Sequence, residues 1–112
     1  MKLVYVCSPL SGDMKLNQAR ARVYCNEVVR KGNIPYAPHL LFTQFMNDED
    51  EADRKLALDM GVEMLDRCDE VWAFYHYGIS SGMSMEIAYA KEHNKPIVYL
   101  DREVAESELL WG

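Results

Sequence analysis

Ser80, Gly82 and Glu86 are residue types that could do chemistry together, and they lie within one short stretch. The stretch follows an apolar run of strand length and begins a segment with helical periodicity. Its apolar residues share one face: Met83, Ile87 and Ala90. Unpaired N–H groups at a helix start bind anions, and in about the first turn the helix dipole favours an ionised Glu86 by roughly 0.3–1 kcal/mol. The pattern predicts a phosphate-sized site beside a carboxylate nucleophile.

Turn-forming residues also follow the first apolar run, in the stretch Ser8–Gly12. The chain has four runs typical of strands: Leu3–Cys7, Ile34–Ala37, Val71–Tyr75 and Ile97–Leu100. Helices are predicted over about Met14–Lys31, about Glu51–Arg67 and up to His93–Asn94, before an amphipathic tail with Val104, Leu109, Leu110 and Trp111 on its apolar side. This alternation favours a parallel sheet wound right-handedly.

The sequence therefore predicts a single α/β domain over residues 1–112. We expect a doubly wound, Rossmann- or flavodoxin-like parallel sheet of four to five strands with helices on both faces. Pro35 cannot donate to a ladder, so its strand should lie at or near an edge. The second helix should bury one face, with Leu58, Val62 and Leu65. Ligands bind at the carboxyl ends of such strands, where Ser8–Gly12 and His76–Gly82 should converge.

Composition narrows the class of protein further. A hydrophobic fraction of 49% over 112 residues favours a folded domain, and a net charge of −6 argues against a nucleic-acid partner. No apolar run reaches the roughly 18–20 residues of a membrane span, so no membrane association is expected. The three cysteines are interpreted as small buried hydrophobes in a reducing cytoplasm. No spacing of His, Cys and acids is typical of zinc, and no metal or cofactor is expected.

The arrangement resembles the nucleoside 2-deoxyribosyltransferase superfamily, and is closest to its small branch of 2'-deoxynucleoside 5'-phosphate N-hydrolases. The resemblance extends from about Leu3 to Leu100. Three stretches carry it: Cys7–Gly12, Cys68–Trp72 and the Ser-x-Gly-x-x-x-Glu spacing of Ser80–Glu86. It implies a small-molecule nucleotide or nucleoside as ligand. It also implies a homo-oligomer, since members of the superfamily commonly assemble.

The resemblance assigns Glu86 as a nucleophile that attacks C1' of the sugar and expels the base. It implies that two loops bind the sugar and the 5'-phosphate, through Ser8, Ser11, Gly12, Ser80, Ser81 and Gly82. The superfamily also uses a second acid, which protonates the leaving base or orients the sugar. Here its expected position falls on Gly61, which leaves Asp59 and Glu63 as the nearest acidic candidates.

Several of these residues also have ordinary structural interpretations. Glu86 could be a helix-start acid, and the serines could cap helices or form turns. Candidates for a base or sugar pocket are Tyr5, His39, Phe42 and Phe45. Most aromatic side chains at strand positions pack in a core, and a turn histidine is as often without a ligand.

Three functions therefore remain open. The first is an enzyme that cleaves or exchanges the N-glycosidic bond of a (deoxy)nucleoside 5'-monophosphate. The second is a nucleotide-binding protein without turnover, favoured by the displaced second acid. The third is an interaction subunit that would use the apolar tail and the segment Leu40–Met46.

Overall fold

The computed structural model describes residues 1–110, so Trp111 of the predicted apolar tail lies outside the described residues. The strands are β1 (Leu3–Cys7), β2 (Ile34–Tyr36), β3 (Glu70–Phe74) and β4 (Ile97–Leu100). The helices are α1 (Met14–Arg30), α2 (Pro38–Leu41), α3 (Glu51–Arg67), α4 (Ser81–Glu92) and α5 (Glu106–Leu109), with a 3₁₀ turn at Phe42–Gln44. Among these residues, no helix combines the length and the apolar character that crossing a membrane requires.

The strands form one parallel sheet in the order β2-β1-β3-β4. The doubly wound α/β fold predicted from the alternation is confirmed. β2 is an edge strand that pairs only with β1. An edge strand has one side without a partner, so it can accommodate Pro35, which has no N–H to donate.

Residues of β1 alternate between two core layers on opposite faces of the sheet. Val4 and Val6 pack in a cluster with residues of α1, whereas Tyr5 and Cys7 pack in a cluster with residues of α3 and α4. A strand has a side-chain period of two, so this division follows directly from its geometry. The consequence for function is that Tyr5 and Cys7 point to the same side as α4.

One part of the predicted core is wrong. Leu58 and Val62 of α3 are 54% and 37% exposed, and only Leu65 of the expected stripe is buried. The inward face of α3 instead runs through Gly61 and Leu65, four residues apart. Gly61 packs against the hydroxyl end of the Tyr5 side chain, and Leu58 and Val62 lie on the solvent side of this inward face.

Candidate active site

The candidate site lies where the strand order reverses, between β1 and β3. These strands are neighbours in register, with Cys7 opposite Ala73, so their carboxyl ends lie side by side. The loops that follow them, Ser8–Gly12 and Tyr75–Ser80, therefore leave the sheet at the same edge. Ligand crevices of doubly wound sheets form at this point, and the two loops begin there side by side.

Glu86 is fixed by two donors from β1. The Tyr5 hydroxyl donates a short hydrogen bond to Oε2 of Glu86, and the Cys7 thiol donates to Oε1 at 3.4 Å. Glu86 is the sixth residue of α4 and so lies in its second turn, not in about the first as predicted. The helix dipole decays within the first turn, so these two donors orient the carboxylate.

Burial raises the pKa of Glu86 above its ordinary value, and the hydrogen bonds from Tyr5 and Cys7 lower that pKa in part. Burial and the nearby Glu86 also raise the pKa values of the Tyr5 phenol and the Cys7 thiol, so both stay protonated and act as donors. Within residues 1–110, no Lys, Arg or His lies within ion-pair distance of Glu86. The site thus contains a partly buried carboxylate with neutral partners.

Helix α3 places a glycine beside Tyr5, one of the two donors to this carboxylate. A Cβ atom at Gly61 would lie 3.4 Å from the Tyr5 hydroxyl, the same hydroxyl that binds Glu86. Asp59 and Glu63 are exposed, and each is about 200° around the helix from Gly61. Glu63 pairs with Arg67 at 3.6 Å. The structure therefore places Gly61 beside the hydroxyl that binds Glu86 and leaves both candidate acids on the outer surface of α3.

The loop after β1 is held by residues from two helices. Ser8 is 2% exposed, and its Oγ has no hydrogen-bond partner among the described residues. Its carbonyl accepts a hydrogen bond from His39 Nε2 at 2.7 Å. Burial lowers the pKa of His39, so the ring is neutral at physiological pH with its proton on Nε2. His39 thus lies beside the loop as predicted, where it supports the backbone of Ser8.

Asn17 holds this loop from α1, and the sequence interpretation missed it. It is buried on α1, and its Nδ2 donates to the carbonyls of Leu10 and Ser11 at 3.0 Å each. Ser11 and Gly12 are exposed, and Gly12 has a φ of 97°, which favours glycine. The sequence did contain a signal for Asn17: it is a polar residue that shares the i, i+4, i+7 stripe of the helix with Ala21 and Tyr24.

The start of α4 forms the other side of the crevice. Ser80 is its N-cap residue, and its Oγ accepts the N–H of Met83 at 3.2 Å. Ser81 and Gly82 are exposed in the first turn. Their N–H groups have no acceptor inside the helix and are oriented to bind an anion. Ser80 itself acts as a cap, which is the structural interpretation offered by its sequence context.

Aromatic rings extend from the carboxylate to the surface in a single row. Tyr5 contacts Tyr36 at 5.7 Å between ring centroids, Tyr36 contacts Phe42 at 6.4 Å, and Phe42 contacts Phe45 at 6.2 Å. Phe45 is 68% exposed at the outer end. The structure thus brings together the three predicted aromatic residues and adds Tyr36 to them. We call these four residues the aromatic row.

A cavity of about 350 Å³ lies elsewhere, between α1 and the segment of α5. It is lined by Arg102, which pairs with Glu27 and Glu108 at 2.6 Å each. Its principal charges therefore neutralise one another, and it is separate from the crevice that contains Glu86. Within the described residues, no group of three His, Cys, Asp or Glu side chains is placed to hold a metal ion.

The fold and the crevice define a class of small doubly wound α/β proteins with a glutamate at the reversal of strand order. The chain belongs to the family described as Domain of unknown function (DUF7768), whose model matches residues 2–100. No curated protein matches the sequence at a significant level.

Solved structures of 2-deoxyribosyltransferases share this fold. The enzyme from Bacillus psychrosaccharolyticus superposes with a TM-score of 0.68 at 14% identity, over 95% of this chain and 79% of that one. The enzyme from Leishmania mexicana superposes with a TM-score of 0.64 at 17% identity, over 89% of this chain and 64% of that one. The fold that the sequence resemblance implied is therefore confirmed.

Proposed function

We propose that the protein is an enzyme that cleaves or transfers the N-glycosidic bond of a (deoxy)nucleoside 5'-monophosphate, with Glu86 as nucleophile. The observation that carries the proposal is the position of Glu86, held by Tyr5 and Cys7 in the crevice between β1 and β3. A carboxylate fixed by two donors is poised to attack a carbon that develops positive charge, as in retaining glycosidases. The likeness to 2-deoxyribosyltransferases supports the same bond as the target.

The two loops support a phosphorylated substrate. Exposed N–H groups at the start of α4 and the exposed Ser11–Gly12 turn flank the crevice, and the unpartnered Ser8 hydroxyl adds a buried donor. Such groups bind a phosphate without any lysine or arginine. This chemistry is that of the N-hydrolase branch, to which we assign the chain, and its three free thiols support a reducing, cytoplasmic location.

A panel of nucleosides and their 5'-monophosphates, in ribo and deoxyribo forms, tests this function. Free base is measured by chromatography, with and without a second base as acceptor to distinguish hydrolysis from transfer. Release of base from monophosphates in preference to nucleosides is the expected result. Absence of base release from every member of the panel would contradict the proposal.

A second candidate function is nucleotide binding without turnover. Gly61 provides no carboxyl group where a general acid would act, and Asp59 and Glu63 are exposed. General acid catalysis contributes about 10²–10⁴-fold, so its loss could leave a binding protein. Thermal stabilisation by a monophosphate, without base release, would favour this candidate over the enzyme.

Tyr5→Phe is expected to reduce kcat about tenfold near neutral pH and to move the acidic limb of the pH–rate profile upward. The Tyr5 hydroxyl stabilises the ionised carboxylate, so its loss raises the pKa of Glu86 further. One hydrogen bond to a charged group is worth about 1.5–3 kcal/mol, and the lower end of this range corresponds to about a tenfold change in rate. The pH dependence of base release provides the measurement.

Tyr36→Phe is the matched control for this variant. Its hydroxyl is buried without a hydrogen-bond partner in the described part of the chain, and its ring neighbours Tyr5. We expect the pH profile of Tyr36→Phe to match that of the wild type. Equal shifts in both variants would show that the hydroxyl of Tyr5 does not act through Glu86.

We also propose that the protein is a homo-oligomer. The exposed apolar side chains of α3, Leu56, Leu58 and Val62, support an interface on that helix. The double variant Leu58→Glu, Val62→Glu should weaken self-association by at least about tenfold, since charges at an interface core are strongly disfavoured. Sedimentation equilibrium measures this change, and an unchanged association constant would place the interface elsewhere.

A further inference from the structure

The surroundings of Glu86 provide no proton for a leaving base. The protons of Tyr5 and Cys7 are both donated to the carboxylate itself. His39 donates its Nε2 proton to the Ser8 carbonyl, and Gly61 has no side chain to donate from. The hydroxyls of Ser8 and Tyr36 are unpartnered among the described residues. Burial raises the pKa of the Tyr36 phenol, and a serine alcohol is a weaker acid still, so neither is suited to this step. The site can therefore accept a sugar at its nucleophile but cannot protonate a base.

This deficiency matters only for some bases. A neutral purine or pyrimidine departs as an anion unless a ring nitrogen is protonated, and general acids therefore contribute about 10²–10⁴-fold. A base that already carries a positive charge departs as a neutral molecule. Such a base needs no general acid.

We propose that the substrates of this site are nucleotides with a permanently cationic, planar base, that is, a pyridinium or an N-alkylated purine nucleotide. The inference rests on the proposed function and specifies the class of substrate that the function acts on. It follows from the two donors to Glu86, which are already engaged, and from the presence of Gly61, without a side chain, beside one of them.

Charge complementarity supports the same class of base. Glu86 has no positively charged partner within the described residues, so a cationic base would be its counter-ion in the complex. Tyr5 is buried, but Tyr36 and Phe42 are partly exposed and Phe45 is exposed, and aromatic ring faces attract planar cations. Helix α3 has small residues beside the aromatic row, Gly61 next to Tyr5 and Ala57 next to Phe42.

With a cationic base, the reaction balances without a general acid. A Glu86 oxygen forms a bond to C1', the C1'–N⁺ bond breaks, and its electron pair neutralises the base nitrogen. Water then forms a bond to C1' and displaces the Glu86 oxygen, which regenerates the carboxylate. The proton of that water passes to solvent, so each cationic nucleotide releases one proton with one neutral base.

Two substrate pairs that differ in charge but little in shape test the proposal. The first pair is 7-methylguanosine 5'-monophosphate and guanosine 5'-monophosphate, which is tested in both ribo and deoxyribo forms. The second pair is nicotinamide mononucleotide and its neutral dihydro form. After subtraction of the uncatalysed rate, the wild type should cleave the cationic member at least about 10²-fold faster than the neutral one. Glu86→Gln should cleave neither.

Variants at position 61 separate the proposal from a simple preference in binding. Gly61→Asp installs an acid beside Tyr5 and should raise cleavage of the neutral members by about 10²-fold. Gly61→Asn has the same shape without the acidic proton and should not, and thermal unfolding confirms that both variants fold.

The possible outcomes distinguish this inference from the function it rests on. Cleavage of a neutral nucleotide by the wild type within about tenfold of its cationic partner, dependent on Glu86, would overturn the inference and leave the proposed function standing. An equal gain from aspartate and asparagine at position 61 would also overturn it. Failure of the wild type to cleave any member of the two pairs would overturn the inference, and failure across the full nucleotide panel as well would overturn the proposed function.

Discussion

Glu86→Gln should abolish base release, by about 10³-fold or more, and should stabilise the folded protein at neutral pH. The amide has nearly the shape of the carboxylate but cannot act as a nucleophile, so the loss falls on kcat. Tyr5 and Cys7 would still surround the side chain. Base release from the best substrate of the panel, measured at saturation, provides the first half of the test.

The gain in stability follows from the direction of the pKa shift. Burial raises the pKa of Glu86 in the folded state above its ordinary value, so the native protein binds more protons than the unfolded chain between the two pKa values. The free energy of unfolding therefore falls as pH rises from about 4.5 through the folded pKa. Glu86→Gln removes this loss of stability. The variant should therefore have a larger free energy of unfolding than the wild type at pH 7 to 8, and the difference should vanish near pH 4.

Glu92→Gln is the matched control, since Glu92 is an exposed acid on the same helix. Denaturant unfolding of both variants at pH 4 and pH 7.5 gives the comparison. If Glu86→Gln were less stable than the wild type at pH 7.5, the carboxylate would be structural. Such a result, together with unchanged base release, would remove the basis of the proposed function.

The sheet and its flanking helices could be predicted because local pattern determines them. Each strand is a short apolar run, and each long helix carries a buried stripe that tertiary packing uses, such as Ala21, Tyr24 and Val28 in α1. The bounds of α3 and β4 agree with the structure at both ends. The prediction that Leu58 and Val62 are buried was wrong because hydrophobic periodicity shows which residues share a face of a helix. It does not show how much of that face packs against the sheet.

The contacts of Glu86 could not be predicted in the same way. Tyr5 and Cys7 are 81 and 79 residues distant in the chain, and only the parallel pairing of β1 with β3 brings them to α4. A count along the chain did indicate Gly61, but whether position 61 faces the carboxylate depends on the rotation of α3. The aromatic row likewise requires the short α2 and the 3₁₀ turn, where the sequence had no clean period.

Phe74→Ala should have the largest effect on stability, a loss of about 3–5 kcal/mol. Phe74 ends β3, is completely buried, and stacks on Tyr24 of α1 with 4.2 Å between ring centroids and 9° between ring planes. The truncation leaves a cavity on the α1 side of the sheet and removes an aromatic pair worth about 0.5–1.5 kcal/mol of this loss. The free energy of unfolding of such domains is about 5–15 kcal/mol, so this loss is a large part of the total stability.

Chemical denaturation of Phe74→Ala, with Phe45→Ala as the control, measures this loss. Phe45 is 68% exposed at the end of the aromatic row, so its truncation should change the free energy of unfolding by no more than about 0.5 kcal/mol. Because the loop after Phe74 leads to the start of α4, any Phe74→Ala protein that remains folded should also bind nucleotide more weakly. Equal losses in the two variants would mean that the Tyr24–Phe74 stack does not anchor α1 to the sheet.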